Sequence, residues 1–180
     1  MFYMIYVLLA DGFEDIEALE PVDILRRAEI DAKTVGVNSK LVTSSHAVTV
    51  TTDILIDEVN PDDMTMLVLP GGPGHTNLDE SKKVHNLISY AAENNIYIAA
   101  ICASPSIIGK LGLLTGKTYT CFPGFEKFCD GGIFTGEKAV LDGKILTGKG
   151  AGAASDFGFK MVEIFKGKEL AQSLKETMQY

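Results

Sequence analysis

The chain has 180 residues, of which 46% are hydrophobic and 22% are charged. This balance is typical of one globular domain, here residues 1–180, and unlike that of a disordered chain. The net charge of −8 disfavours a nucleic-acid partner. Three cysteines without close spacing disfavour a disulfide framework and favour the reducing cytoplasm. The apolar run Met1–Ala10 is too short to span a membrane, so no membrane partner is expected.

Apolar strands alternate with amphipathic helices along most of the chain. Continuous apolar runs predict buried strands, and apolar residues at a spacing of three or four predict helices. The alternation predicts an α/β fold with a mostly parallel central sheet and helices on both faces. Pro21 is expected to kink or divide the first helix. The predicted strands are Tyr3–Ala10, Ala32–Val37, Met64–Leu69, the run into Cys102, and a hairpin of Lys138–Leu141 and Lys144–Thr147 with a type I′ turn; the predicted helices are Glu14–Ala28, Ser81–Asn95, Ala153–Lys166 and Lys168–Met178.

Cys102 is the first candidate for chemistry. Six apolar residues from Ile96 run directly into it, and Pro105 suits the first turn of a following helix. The thiol is therefore predicted on a sharp strand-to-helix turn, near unpaired N–H groups and the positive end of a helix dipole. Those surroundings favour a nucleophilic thiolate. The alternative is an inert cysteine of the core, which is a common fate for free cysteines.

A carboxylate and two backbone groups are predicted beside this thiol, because the carboxyl ends of parallel strands share one sheet edge. Glu17 lies one helical turn after the first strand, and burial would keep it protonated and able to donate to sulfur. The alternative is that Glu17 belongs to a solvated acidic face of its helix. The N–H groups of Gly72 and Ala103 are predicted to form an oxyanion hole, although the glycine pair also fits a plain turn.

Histidine and metal chemistry have weaker support. Of the three histidines, His75 follows the third strand and His85 is expected at the surface. His46 lies between Asn38 and Asp57, where alternating apolar and polar residues predict a small antiparallel or edge excursion that could face a partner subunit. None adjoins Cys102, where a cysteine hydrolase would need a base. The cysteine spacing lacks a CxxC pair, and the glycine loop lacks a phosphate-binding pattern, so no metal or cofactor is predicted.

The motifs FEDIEALEPVD, VLPGGPG, AAICASP and ILTGKGAG resemble the ThiJ/PfpI superfamily, most closely the branch of the Parkinson-disease protein deglycase (DJ-one). The resemblance implies a flavodoxin-like three-layer sandwich, similar to class I glutamine amidotransferases, and a homodimer. It implies that Cys102 is the reactive cysteine, Glu17 the conserved glutamate and Gly72 an oxyanion donor, followed by Ala103 after the cysteine. The activities implied are glyoxalase or deglycase chemistry and redox sensing through cysteine oxidation.

The chain departs from that branch at one position near the site. Phe122 precedes Pro123 where the branch has a histidine, and a phenyl ring cannot move protons. Two auxiliary roles are hypotheses for this reason. Cys121 could act as a resolving thiol for an oxidised Cys102. His46 could reach the site from the other subunit of a dimer and supply the missing base.

Three functions follow from these residues. The first is a cysteine-dependent stress-response enzyme that acts on small reactive carbonyl compounds through the Cys102 thiolate. The second is a redox sensor without catalytic activity, in which an oxidant modifies Cys102. The third, an intracellular peptidase or amidase, has less support because no histidine lies beside the cysteine to protonate a leaving amine. An inert structural domain is the remaining alternative.

Overall fold

The computed structural model describes residues 3–180, so Met1 and Phe2 of the predicted domain lie outside the described residues. Its strands are β1 (Met4–Leu9), β2 (Asp31–Gly36), β3 (Leu41–Thr43), β4 (Thr49–Thr51), β5 (Ile54–Leu55), β6 (Met64–Leu69), β7 (Tyr97–Ile101), β8 (Thr118–Tyr119), β9 (Ile133–Phe134), β10 (Ala139–Asp142) and β11 (Ile145–Gly148). Its helices are α1 (Asp15–Arg27), α2 (His75–Asp79), α3 (Lys82–Glu93), α4 (Pro105–Lys110), α5 (Ala154–Lys166) and α6 (Lys168–Thr177).

Seven strands form the central sheet in the order β10-β11-β7-β6-β1-β2-β5. All neighbouring pairs are parallel except β10 and β11, which form the predicted antiparallel hairpin at one edge. The strands β3 and β4 form a separate antiparallel hairpin, which agrees with the predicted excursion. The α/β fold with a mostly parallel sheet is thus confirmed.

Helices cover both faces of this sheet. Successive side chains of β1 point to opposite faces, so Tyr6 and Leu8 pack with α2, α3 and α4, whereas Ile5 and Val7 pack with α1 and α5. Both faces of the central strands are therefore dry, which explains why their sequences are continuously apolar. No helix within residues 3–180 has the length and hydrophobicity to cross a lipid bilayer.

Two local predictions differ from the structure. Pro21 does not divide the first helix, because α1 continues without a break from Asp15 to Arg27, and the alternative of a kink at Pro21 stays a prediction. Gly158 of α5 packs against this stretch of α1, where an added Cβ would lie 3.3 Å from the Pro21 Cα. The β10–β11 turn is not type I′, which requires two residues with positive φ, because Gly143 has a φ of +60° and Lys144 does not share that conformation.

Candidate functional site

The candidate residues meet where the strand order of the sheet changes direction. Glu17 follows β1, Gly71 and Gly72 follow β6, and Cys102 follows β7. The chain passes from β1 to β2 on one side of β1 and later enters the sheet again at β6, on the other side of β1. Crevices form at the carboxyl ends of strands at such a position, and they commonly bind ligands.

Cys102 occupies the predicted sharp turn between β7 and α4. Its φ is +65°, a left-handed conformation that is uncommon for any residue other than glycine. The Cys102 N–H donates to the Gly148 carbonyl (N···O 2.9 Å), and the Cys102 carbonyl accepts from the Phe122 N–H (2.8 Å). Pro105 then begins α4, as predicted. Cys102 is partly exposed in this turn, so the reading of it as an inert core cysteine is not supported.

Glu17 is completely buried, which excludes the solvated acidic face. It is held there by the start of α1, where the Glu14 carboxylate accepts the Glu17 N–H at 2.8 Å and caps the helix. The Glu17 Oε2 atom accepts the Gly71 N–H at 2.9 Å. The Glu17 Oε1 atom is buried without a hydrogen-bond partner among the described residues. The hydrogen bond to Oε2 therefore fixes the carboxyl group, whereas Oε1 makes no hydrogen bond to the described residues.

Gly71 allows the carboxyl group and the thiol to approach each other. A Cβ added at Gly71 would lie 2.6 Å from the Cys102 Cβ and 2.6 Å from the Glu17 Oε2. Both contacts are too short for any side chain, so only glycine fits between these two groups. Sequence reasoning assigned the oxyanion role to Gly72 and missed the part played by Gly71. The doubled glycine was the available signal.

Burial perturbs the carboxyl group strongly. Desolvation raises the pKa of Glu17 from 4.5 to about 7, and the negative charge of Glu14 acts in the same direction. Hydrogen bonds with the Cys102 thiol and the Gly71 N–H oppose this rise but do not cancel it. The carboxyl group thus changes its protonation state close to neutral pH, as the sequence analysis predicted from burial.

The pKa of the thiol is shifted in the direction opposite to the prediction. Burial raises the pKa of Cys102 to about 12, and the charge of Glu17 and its hydrogen bond add to that rise. The N–H groups of Gly72 and Ala103 hydrogen-bond the sulfur and lower the pKa, but they are outweighed. The helix dipole is weak here because α4 has six residues. The prediction of a thiol held as a thiolate by the helix end was therefore wrong.

Cys102 and Glu17 lie close enough to change each other's pKa: the charge of Glu17 raises that of the thiol, and the thiol lowers that of the carboxyl group. Below about pH 7 both hold a proton, and between about pH 7 and about pH 12 one proton remains on the two groups. We refer to these two groups as the thiol–carboxyl pair. In the singly protonated pair, the carboxylate lies in position to accept the thiol proton when the sulfur attacks an electrophile.

The N–H groups of Gly72 and Ala103 both lie close to this sulfur. Gly72 has a φ of +81°, and an added Cβ would lie 2.6 Å from the Glu14 N atom, so the loop requires glycine. Ser104 joins the two loops, because its hydroxyl donates to the Pro70 carbonyl at 2.6 Å. Sequence reasoning missed Ser104, since one serine beside a proline gives no distinctive signal.

Comparison with known proteins identifies the family of this site. The DJ-1/PfpI family matches residues 4–164. The chain belongs to the DJ-1/PfpI family. It is 34% identical over 176 residues to Protein dj-1beta of Drosophila melanogaster, a match that covers 96% of this chain and 94% of the relative. The crystal structure of that Drosophila protein aligns with a TM-score of 0.93 at 32% identity, covering 99% of this chain and 98% of the other.

Two other relatives of this DJ-1/PfpI chain are named for activities. One is a glutathione-independent glyoxalase of Caenorhabditis elegans, 25% identical over 173 residues, with 96% of this chain and 93% of the relative covered. The other is a deglycase of Pyrococcus abyssi, 27% identical over 164 residues, with 90% and 99% covered. The chain spans 40% of the length of Protein DJ-1 homolog B of Arabidopsis thaliana, to which it is 33% identical over 176 residues.

The three histidines of this DJ-1/PfpI chain are bound to groups other than Cys102. His75 contacts the Gly72 carbonyl through Nδ1 at 2.9 Å, and His85 contacts the Asp79 carbonyl through Nε2 at 2.7 Å. The His46 side chain is 70% exposed and lies 2.7 Å from the Asp15 carboxylate, which raises its pKa. Within residues 3–180, no histidine is hydrogen-bonded to the thiol. A role for His46 across a dimer stays a prediction.

Cys121 and Cys129 are both buried and lie close enough to perturb each other. The neighbouring Cys129 thiol and burial raise the pKa of Cys121, and Cys102 acts on it in the same direction. The role of Cys121 as a resolving thiol for an oxidised Cys102 stays a prediction. Phe122, the next residue, has its side chain 48% exposed beside the site.

One group of side chains within residues 3–180 has the composition of a metal site. Oxygen and nitrogen atoms of Glu14, Asp15 and His46 lie within 4.8 Å of one another. Each already has a protein partner: the Glu14 carboxylate caps α1, and Asp15 binds both His46 and the Ser44 hydroxyl. These hydrogen bonds account for the cluster as a link between α1 and the β3–β4 hairpin.

Proposed function

We propose that this DJ-1/PfpI chain is a cysteine-dependent enzyme that converts small reactive carbonyl compounds, in the manner of a glyoxalase or deglycase. The observation that carries the proposal is the close approach of the thiol and the carboxyl group across Gly71, with Cys102 in a strained turn at the sheet edge. The names of the nematode glyoxalase and the archaeal deglycase support the same class of substrate.

The first step is addition of the Cys102 sulfur to the aldehyde carbon of a 2-oxoaldehyde. The thiol proton passes to the Glu17 carboxylate as the S–C bond forms, and the aldehyde oxygen becomes an alkoxide. The N–H groups of Gly72 and Ala103, which already face the sulfur, stabilise this developing charge. The alkoxide takes the proton back from Glu17, which leaves a hemithioacetal and a free carboxylate.

The second step is isomerisation, and Glu17 is the base available for it. The carboxylate removes the proton from the carbon bound to sulfur, which gives an enediolate, and returns it to the neighbouring carbon. The proton of the hemithioacetal hydroxyl passes to the oxygen on that neighbouring carbon, and the product is a thioester of a 2-hydroxy acid. Water then hydrolyses the thioester and restores the thiol, so the net reaction adds one water to the 2-oxoaldehyde. A pKa of about 7 suits a group that both accepts and donates protons at neutral pH. Glu17 thus performs a task for which Phe122 has no suitable group.

The decisive assay follows methylglyoxal loss and formation of the hydroxy acid by the wild type, Cys102→Ala and Glu17→Gln. Both variants are expected to lose at least about a hundredfold in kcat/KM, because each removes a group that takes part in bond making or proton transfer. Glu20→Gln is the matched control, since Glu20 lies on the same helix but binds the Ser155 hydroxyl away from the thiol. Loss of methylglyoxal that is independent of Cys102 would refute the proposal.

A redox sensor is the second candidate, favoured by the exposure of the cysteines. Cys102 is partly exposed, whereas Cys121 and Cys129 are buried. A peroxide would convert the thiol to a sulfenic acid and water, and a second peroxide would give the sulfinic acid, which a protonated Glu17 and the backbone donors would stabilise. Mass spectrometry after mild peroxide should then find two added oxygen atoms on Cys102 alone. Equal oxidation of all three cysteines would contradict a sensor role.

Within residues 3–180, a peptidase or amidase mechanism would find no proton donor for a leaving amine near Cys102 other than Glu17. All three histidines are hydrogen-bonded to groups away from Cys102. A nucleophilic cysteine in such enzymes is normally activated by an imidazole. Carbonyl compounds, whose conversion needs no leaving amine, therefore fit this site better than peptides do.

A further inference from the structure

The aromatic side chain of Phe122 lies beside the thiol–carboxyl pair but has no role in the proposed mechanism. Phe122 is 48% exposed, although large apolar side chains are normally buried. Its N–H donates to the Cys102 carbonyl at 2.8 Å, which fixes the backbone of Phe122 to the catalytic turn. The position of this ring is therefore coupled to the position of the nucleophile.

Gly150 leaves a space between this ring and the carboxyl group. The position that a Cβ of Gly150 would occupy lies 3.4 Å from the Phe122 Cδ2 and 4.0 Å from the Glu17 Oε1. Both are ordinary van der Waals distances, so an atom fits there without displacing either group. The Glu17 Oε1 is fully buried and has no hydrogen-bond partner among the described residues. The Phe122 ring thus forms an apolar wall beside Gly150, with room for one further carbon atom there, and the carboxyl oxygen behind it is shielded from solvent.

Neighbouring aromatic rings support this wall. Phe125 packs edge-on against Phe122 with ring centroids 6.4 Å apart, and His75 packs edge-on against Phe125 at 5.2 Å. The His75 ring is in turn held by the Gly72 carbonyl, in the loop whose N–H faces the sulfur. Such edge-to-face contacts favour one arrangement of the rings. The apolar wall is therefore supported by the same loop that carries the oxyanion donor.

We propose that Phe122 and Gly150 form a substrate subsite that selects 2-oxoaldehydes with an aromatic or bulky apolar substituent. This inference rests on the proposed function and names the substrate class for it. The substituent packs against the exposed Phe122 ring, beside Gly150. A methyl substituent is too small to gain much from this contact, whereas a phenyl ring buries a large apolar area.

The test compares kcat/KM for phenylglyoxal with that for methylglyoxal and takes the ratio of the two. This ratio is then compared between each variant and the wild type. The intrinsic difference in reactivity of the two aldehydes is the same in both proteins, so it cancels. Phe122→Ala is expected to lower the ratio about tenfold, as loss of one aromatic contact would. Phe128→Ala is the matched control: Phe128 is an exposed ring that packs against Phe125 and Lys110, and the ratio should not change.

Gly150→Ala provides a second variant that probes the space itself. Its methyl group fits without a clash, because the nearest side-chain atoms lie at 3.4 and 4.0 Å. It should lower kcat/KM for phenylglyoxal at least fivefold more than for methylglyoxal. A ratio that is unchanged in both variants, with Cys102-dependent turnover intact, would overturn the subsite. Absence of Cys102-dependent turnover of either aldehyde would instead overturn the proposed function and the subsite with it.

Discussion

Replacement of Glu17 by glutamine should change how the stability of the fold depends on pH. Burial gives the folded-state carboxyl group a pKa of about 7, compared with 4.5 for an exposed glutamate. Between these two values the unfolded chain releases this proton and the folded chain keeps it. The contribution of Glu17 to the free energy of unfolding therefore falls as the pH rises from below 4.5 through 7.

The size of the effect follows from the difference between the two pKa values. A difference of about 2.5, from 4.5 to about 7, corresponds to about 3 kcal/mol of stability that is present below pH 4.5 and lost above pH 7. Glutamine has no proton to release, so Glu17→Gln lacks this part of the pH dependence. The stability of the variant relative to the wild type should rise by about 3 kcal/mol between pH 4 and pH 8.

Urea unfolding of both proteins at pH 4, 6 and 8 measures this difference, and the contributions of other ionisable groups cancel in the comparison. Glu20→Gln removes a partly exposed carboxyl group from the same helix and serves as the control. A relative stability of Glu17→Gln that stays constant with pH would refute a raised pKa at Glu17. A relative stability that falls with pH would mean that the carboxyl group is stabilised in its charged form.

Two further predictions concern the space around the site and access to its thiol. Gly71→Ala would place a methyl group against the thiol–carboxyl pair, at 2.6 Å from an atom of each member, and should cost about 2–3 kcal/mol in urea unfolding and most of the activity. Gly152→Ala, with no atom within 4 Å, should leave both unchanged, and equal effects of the two substitutions would contradict the packing described. In the native protein, iodoacetamide should label Cys102 at least tenfold faster than the buried Cys121 and Cys129, as peptide mass spectrometry would show. Comparable rates at all three thiols would contradict their relative burial.

The fold was predictable because each central strand is apolar along its whole length and each helix has one apolar face. The alternation of these patterns allows few arrangements other than a parallel sheet covered on both sides. Pro21 misled because local propensity predicts a break, whereas contact between α1 and the Gly158 surface of α5 keeps the helix continuous. That contact joins residues far apart in the chain, and no local pattern records it.

The site was predictable in its members but not in its electrostatics. Cys102 and Glu17 were found because each follows a strand end, and strand ends of a parallel sheet converge. The direction of the thiol pKa depends on how completely the sulfur is desolvated, and that is a property of the packed structure. The proximity of Cys121 and Cys129 was missed for a similar reason, because it depends on the path of the loop between them, and no sequence pattern indicates that path.

The most direct measurement of the central claim is the rate at which iodoacetamide alkylates Cys102 as a function of pH, in the wild type and in Glu17→Gln. A shared proton predicts that the wild-type rate rises with an apparent pKa of about 7, because loss of the first proton lets the carboxylate accept the thiol proton. The variant should show no rise near pH 7 and should react more slowly at pH 8. Identical profiles for the two proteins would show that Glu17 and Cys102 do not share a proton.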